Sequence, residues 1–273
     1  MYSYEEFKGR IVECLEKECP EKKYEIESMP GINRMEEGLV LLTEKDASPF
    51  LQLKHLYDIY SITGDMEAVL NIIRGGVDYP GEDLENGVLG SWKMDKTKIF
   101  PVVLNKGRNL ALTSSEDNIY REKLDLIILY YLKLDLLKEG FCSIRISKHF
   151  LKVWGVTEED LYRQCFQNRD YRLLKLADVN ILTNQPKYRG AAGMFFSDEV
   201  KKFAEKNDCD VFILPSSIHE TLLLKSDFGI SVQELKQIVR DINSDKDIMT
   251  EEDFLSNSIY LYSRNTDEIE IVG

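Results

Sequence analysis

Seven consecutive apolar residues, Leu126-Ile-Ile-Leu-Tyr-Tyr-Leu132, limit what this 273-residue chain can fold into. The run falls far short of the ~20 apolar residues that a membrane-spanning helix needs. Periodicity alone leaves it open between a buried helical segment and a buried strand. Its surroundings favour a strand: Gly140 follows, and Phe141-Cys-Ser-Ile-Arg-Ile146 alternates as a hairpin partner would.

Other segments show the same preference for hairpins. Tyr24 and Ile26 alternate with Glu25 and Glu27, Pro30-Gly31 marks a turn, and Gly38 to Thr43 reads as the returning strand, with Phe50, Leu51 and Leu53 opening a third. Further on, Asp178–Thr183, Val211–Leu214, Thr221–Leu224, Ile259–Tyr262 and Ile269–Val272 read as short strands, while Ile99–Leu104 fits either type. Helices are marked by apolar stripes: Phe7, Ile11, Cys14 and Leu15; Leu56, Tyr57 and Tyr60; Val69, Leu70, Ile72 and Ile73; Leu161, Tyr162, Cys165 and Phe166; Val200, Phe203 and Ala204; Leu235, Ile238, Val239 and Ile242. Thr157 and Ser231 stand where helix caps are expected. Hairpin signals outnumber strand–helix–strand units, so the expected class is α+β, mainly antiparallel sheet with flanking helices.

Five of the sixteen glycines, with Pro80, crowd between Gly75 and Gly90. Ordering glycine costs more backbone entropy than any other residue, which makes this stretch the expected boundary between a smaller lobe, 1–90, and a larger one, 91–273.

Acidic residues outnumber basic ones 48 to 35, a formal charge of −13. Residues 1–140 carry 26 acidic against 18 basic side chains and residues 141–273 carry 22 against 17, so the excess is spread along the chain. A diffuse negative field repels phosphate backbones and anionic membranes, although a local basic pocket escapes that argument. Cys14, Cys19, Cys142, Cys165 and Cys209 are odd in number and form no Cys-x-x-Cys pair, and His55, His149 and His219 lie apart from them. Neither a zinc pattern nor a disulfide framework results, and no metal or other cofactor is expected. The start, Met-Tyr-Ser-Tyr-Glu-Glu, has no basic region ahead of an apolar run, so reduced thiols and a cytoplasmic location are expected.

One short string has obvious chemistry. Ser216, Ser217, His219 and Glu220 place a hydroxyl, a base and a carboxylate within five positions. A catalytic reading makes Ser217 (or Ser216) the nucleophile, His219 the base and Glu220 its orienter, in a hydrolase or transferase working from a six-residue loop, Pro215 to Glu220. Against it, no Gly-x-Ser-x-Gly elbow is present, and alternation would turn Glu220 away from His219. The plainer reading is a hairpin turn. Lys187, Arg189, Gly190 and Gly193 form a second candidate, an anion cradle of cations and glycine amides near the helix opened by Ser197. Their spacing matches neither standard phosphate-binding loop. Trp154 is expected to anchor its helix, and the triplets Glu158-Glu-Asp160 and Glu251-Glu-Asp253 each follow a threonine as cap and dipole chemistry requires.

Leu182-Thr-Asn184, Gly190-Ala-Ala192, Phe212-Ile-Leu-Pro-Ser-Ser-Ile-His-Glu220, Leu255-Ser-Asn-Ser-Ile-Tyr-Leu-Tyr262 and Val153–Leu161 resemble an uncharacterised family, a domain of unknown function abundant in low-GC Gram-positive gut bacteria. Tyr4-Glu-Glu-Phe7 and the segment Ser48-Pro49…Tyr57…Tyr60 extend the likeness over most of the chain. The resemblance implies a cytoplasmic bacterial protein and brings no activity with it. With no assembled catalytic or nucleotide motif, the residues point to a binding or regulatory module for a protein or a small metabolite, with no nucleic-acid or membrane partner. Limited proteolysis tests the lobe boundary: the first cuts are expected between Gly75 and Gly90, and a resistant fragment spanning that stretch would overturn it.

Overall fold

The computed structural model describes residues 1–42, 50–77, 91–134, 142–168, 170–176 and 179–273. The chain divides into two compact units: Met1–Gly31 with Met35–Gly90, and Ile32–Arg34 with Ser91–Gly273. Both combine helices with antiparallel sheet, and the fold is α+β.

In the first unit, helix α1 (Tyr4–Glu18) begins with a capping box in which Ser3 and Glu6 satisfy each other's backbone N–H groups. Strands β1 (Lys23–Pro30), β2 (Met35–Leu42) and β3 (Phe50–Gln52) form a meander, and helices α2 (Leu53–Thr63) and α3 (Met66–Val77) follow. Phe7, Ile11 and Leu15 meet Leu39, Leu41, Leu56, Tyr60 and Ile73 in one core. The stripe expected on α3 is narrower in fact: Val69, Leu70 and Ile73 are buried, while Ile72 is 42% exposed. Gly75 and Gly76 belong to α3, and residues 78–90, the rest of the glycine-rich stretch, lie outside the described residues, as do Ser48-Pro49 and Gly140.

The second unit holds two sheets. Short helix α4 (Trp92–Asp95) leads into β4 (Ile99–Asn105), then α5 (Leu110–Thr113), β5 (Tyr120–Lys123), β6 (Leu126–Leu134) and β7 (Cys142–Arg145). β6 pairs with β4 along one edge, while β5 and β7 share its other edge. Leu126 to Leu132 are all buried, on both faces of the sheet, which is why no alternation is visible there. Helix α6 (Lys148–Trp154) ends at the buried Trp154, whose ring meets Phe150 one turn earlier on the same helix and Trp92 of α4 at 5.8 Å between centroids. Helix α7 (Glu158–Gln167) has a Thr157/Asp160 capping box that holds the Asp160 carboxyl below its usual range, and Arg121 chelates Glu158 and reaches Glu159.

β8 (Tyr171–Leu176), β9 (Val179–Asn184), β10 (Val211–Ser217), β11 (Glu220–Lys225), β12 (Tyr260–Ser263) and β13 (Glu268–Ile271) form the six-stranded sheet, in the order β13-β12-β10-β11-β9-β8. Helices α8 (Gly193–Phe196) and α9 (Glu199–Asn207) precede β10. α10 (Val232–Ser244), capped by Ser231, packs Leu235 and Val239 against Phe212, Leu214 and Ile259. Ile238 and Ile242, expected inside, are 45% and 40% exposed, because only the stripe formed by Leu235 and Val239 is buried against the sheet. Asp125, in the β5–β6 turn, accepts hydrogen bonds from the hydroxyls of Ser256, Ser258 and Tyr260, tying the two sheets together.

These burials predict a contrast. Ile128→Ala, at a fully buried site, is expected to cost about 2–5 kcal/mol, whereas Ile238→Ala stays within ~0.5 kcal/mol, both read from urea unfolding midpoints.

Candidate functional site

The expected six-residue loop does not exist. β10 runs through Ser217 with a bulge between Pro215 and Ser217, and β11 begins at Glu220, so only Ile218 and His219 turn the chain. Proline cannot continue a regular ladder, and a bulge is one of the few places a strand accommodates it.

His219 organises this turn. Its Nδ1 accepts a hydrogen bond from the Arg189 N–H at 3.0 Å, so in the neutral ring the proton sits on Nε2, which faces Asp253 Oδ1 at 3.0 Å. The carbonyl of His219 accepts from the Gly190 N–H (3.0 Å) and the Thr183 hydroxyl (2.8 Å). Its ring packs against Tyr188, with 5.4 Å between centroids. The ring lone pair that a general base would use is thus already engaged. Ser217 Oγ accepts from the backbone N–H of His219 at 3.0 Å, and Ser216 Oγ reaches Glu220 Oε1 at 3.5 Å. Ser216, Ser217, His219 and Glu220 are brought close without forming a relay; the carboxylate beside the imidazole belongs to Asp253, 34 residues away.

The second predicted set is also close by, in another role. Gly190 N–H is taken by His219, and Gly193 N–H bonds back to the Gly190 carbonyl, so neither amide is available to an anion. A Cβ on Gly190 would lie 2.5 Å from Thr183 Oγ1 and 2.7 Å from the His219 carbonyl oxygen, so the glycine serves a close crossing of two chains. The guanidinium of Arg189 lies 4.8 Å from the ring centroid of Tyr131 and 4.9 Å from that of Tyr188, a cation held over two aromatic faces. Lys187 is exposed on the turn after Asn184.

A concentration of basic side chains lies elsewhere. Between α9 and the sheet is a groove of about 750 Å³ whose lining includes Lys175, Lys202, Lys206 and Lys225. Register explains the sheet side: Lys175 of β8 is opposite Asn180 of β9, which is opposite Leu223 of β11, and Lys225 is two residues further on the same face. The helix side comes from Glu199, Lys202, Phe203 and Lys206 at i, i+3, i+4 and i+7. Lys202 is paired with Glu199 at 2.7 Å and Lys225 faces Asp227 at 3.6 Å, while Lys175 and Lys206 make no ion pair among the described residues. Phe203 and the half-exposed Phe228 supply apolar surface. The helical part of this set is visible in the sequence as a face of mixed charge; the strand lysines have no such signal.

Among the described residues no His, Cys, Asp and Glu side chains gather as a metal site, and no helix is long and apolar enough to cross a membrane. Cys14, Cys19, Cys165 and Cys209 are free thiols, and burial pushes the Cys165 thiol up. These features define an antiparallel α+β protein with a histidine-centred turn and a basic groove. The model of the family of unknown function DUF5688 matches residues 4–177 and 174–264, and the chain belongs to that family. Comparison with curated proteins and with solved structures finds no significant match.

Removing the imidazole leaves Arg189 N–H and Asp253 without their partner, so His219→Ala is expected to lower unfolding stability by about 1–3 kcal/mol. A serine-directed fluorophosphonate is expected to leave Ser216 and Ser217 unlabelled; stoichiometric labelling at either would restore the catalytic reading.

Proposed function

We propose that this protein is a non-enzymatic binding module of the bacterial cytoplasm that holds a small anionic metabolite in the groove beside α9. One observation carries the reading: four lysines and a single carboxylate, Glu199, line one groove in a chain whose formal charge is −13. Such clustering within a negative protein opposes the average field, and a groove concentrates that local potential. Lys175 and Lys206, which lack ion pairs among the described residues, would take the ligand's charged groups, and Lys202 and Lys225 would exchange their present carboxylate partners for it in part. Phe203 and Phe228 favour a ligand with a carbon skeleton over a bare inorganic ion. The acidic surface outside the groove argues against long polyanions such as nucleic acid.

The test is thermal unfolding of the full chain with inorganic phosphate, citrate and glucose 6-phosphate at matched ionic strength. A ligand that binds only the folded state raises stability by about 2.7 kcal/mol at a hundred times its Kd. A saturable rise in Tm with citrate or the sugar phosphate, abolished in the double variant Lys175→Ala/Lys206→Ala, is expected. Tm values that track ionic strength alone, equal to those in sodium chloride, would overturn the reading.

A further inference from the structure

The two lysines of the groove that lack ion pairs each stand beside an asparagine. On the sheet side, Lys175 of β8 is the register partner of Asn180 of β9. On the helix side, Lys206 precedes Asn207, the last residue of α9. Both asparagines line the groove. Each commits its amide nitrogen to a backbone carbonyl: Asn180 Nδ2 donates to Leu223 at 3.4 Å, and Asn207 Nδ2 donates to Phe203 at 2.7 Å. A carbonyl only accepts, so these bonds fix which end of each amide is nitrogen and leave Oδ1 as an acceptor. Neither Oδ1 receives a hydrogen bond among the described residues. Phe228 adds an apolar face. Its N–H closes a turn on the Lys225 carbonyl at 3.2 Å, and its ring, though it lines the groove, is 57% exposed. Of the carboxylates beside the lysines, Glu199 is paired with Lys202 and Asp227 faces Lys225.

We infer, resting on the reading of this groove as an anion site, that its ligand is a sugar phosphate. Lysine ammonium groups take phosphate oxygens as point charges. The amide oxygens next to them oppose a further anionic oxygen and call for an O–H donor close to the phosphate. A sugar monophosphate carries both chemistries on one skeleton, and the C–H face of its ring can cover Phe228 without burying a polar group. Citrate would instead set carboxylate oxygens against the two amide oxygens. The groove, about 750 Å³, is within the ~300–1,000 Å³ usual for small-molecule sites.

The experiment is calorimetric titration of the full chain with glucose 6-phosphate, cyclohexylmethyl phosphate and citrate at matched ionic strength. Cyclohexylmethyl phosphate keeps the ring and the phosphate and has no hydroxyls. One hydrogen bond contributes a net factor of about 2–10 in affinity, so two are expected to make glucose 6-phosphate bind about tenfold more tightly than either other probe. This comparison uses the unmodified protein and depends on no variant folding. In Asn180→Leu and, separately, in Asn207→Leu, the Kd for glucose 6-phosphate is expected to rise about 2–10-fold while that for cyclohexylmethyl phosphate stays within about twofold. A purely structural role for either asparagine would move both ligands together and would overturn its assignment. Citrate or cyclohexylmethyl phosphate binding as tightly as glucose 6-phosphate would overturn the sugar-phosphate inference and leave the anion groove standing. Binding by none of the three would remove the groove reading itself and this inference with it.

Discussion

The carbonyl and ring of His219 hold together four segments that the rest of the second unit builds upon. Two donors, the Gly190 N–H and the Thr183 hydroxyl, converge on one carbonyl, while the imidazole joins the Arg189 N–H to the Asp253 carboxylate. Backbone groups buried at such a crossing must be paired, and only an imidazole offers an acceptor and a donor on opposite sides of one flat ring. Gly190 is needed because Thr183, Asn184 and His219 leave no room for a side chain. From this crossing the chain enters α8 and α9, so the location of the lysine groove beside α9 depends on it.

Asp125 does comparable work between the sheets. Three hydroxyls donate to its carboxylate, two from the Ser256–Ser258 segment and one from Tyr260 on β12. A half-buried carboxylate with several hydroxyl donors needs no cation beside it. Arg121 likewise gathers Glu158 and Glu159, and Tyr130 also bonds to Glu158. Acidic groups at the start of α7 are therefore matched both by the helix N-terminus and by a fixed guanidinium.

Charge in this protein has to be read at two scales. The total of −13 governs long-range encounters, yet it says nothing about four lysines drawn together from two strands and one helix. Similarly, Lys202 and Lys206 lie one turn apart on α9, yet Lys202 meets the Glu199 carboxylate and Lys206 makes no ion pair among the described residues. Composition treats the two alike; desolvation and neighbours do not.

Local chemistry was legible in the sequence. The capping residues Thr157 and Ser231, the antiparallel α+β class, the pairing of β6 with the strand around Cys142–Arg145, and the burial of Cys165 and Trp154 all depend on neighbours along the chain or on hydrophobic patterning. Faces of helices were legible only in part: Ile72, Ile238 and Ile242 continue their apolar stripes, but how wide a stripe is covered depends on the surface opposite. The string around His219 announced reactive groups without announcing their partners, since Arg189 and Asp253 are far from it in sequence. Strand register alone brought Lys175 and Lys225 to one face, and the packing of α9 alone set Lys202 and Lys206 across from them. Such juxtapositions are set by pairing and packing over long sequence separations, and so only the tertiary structure decided them.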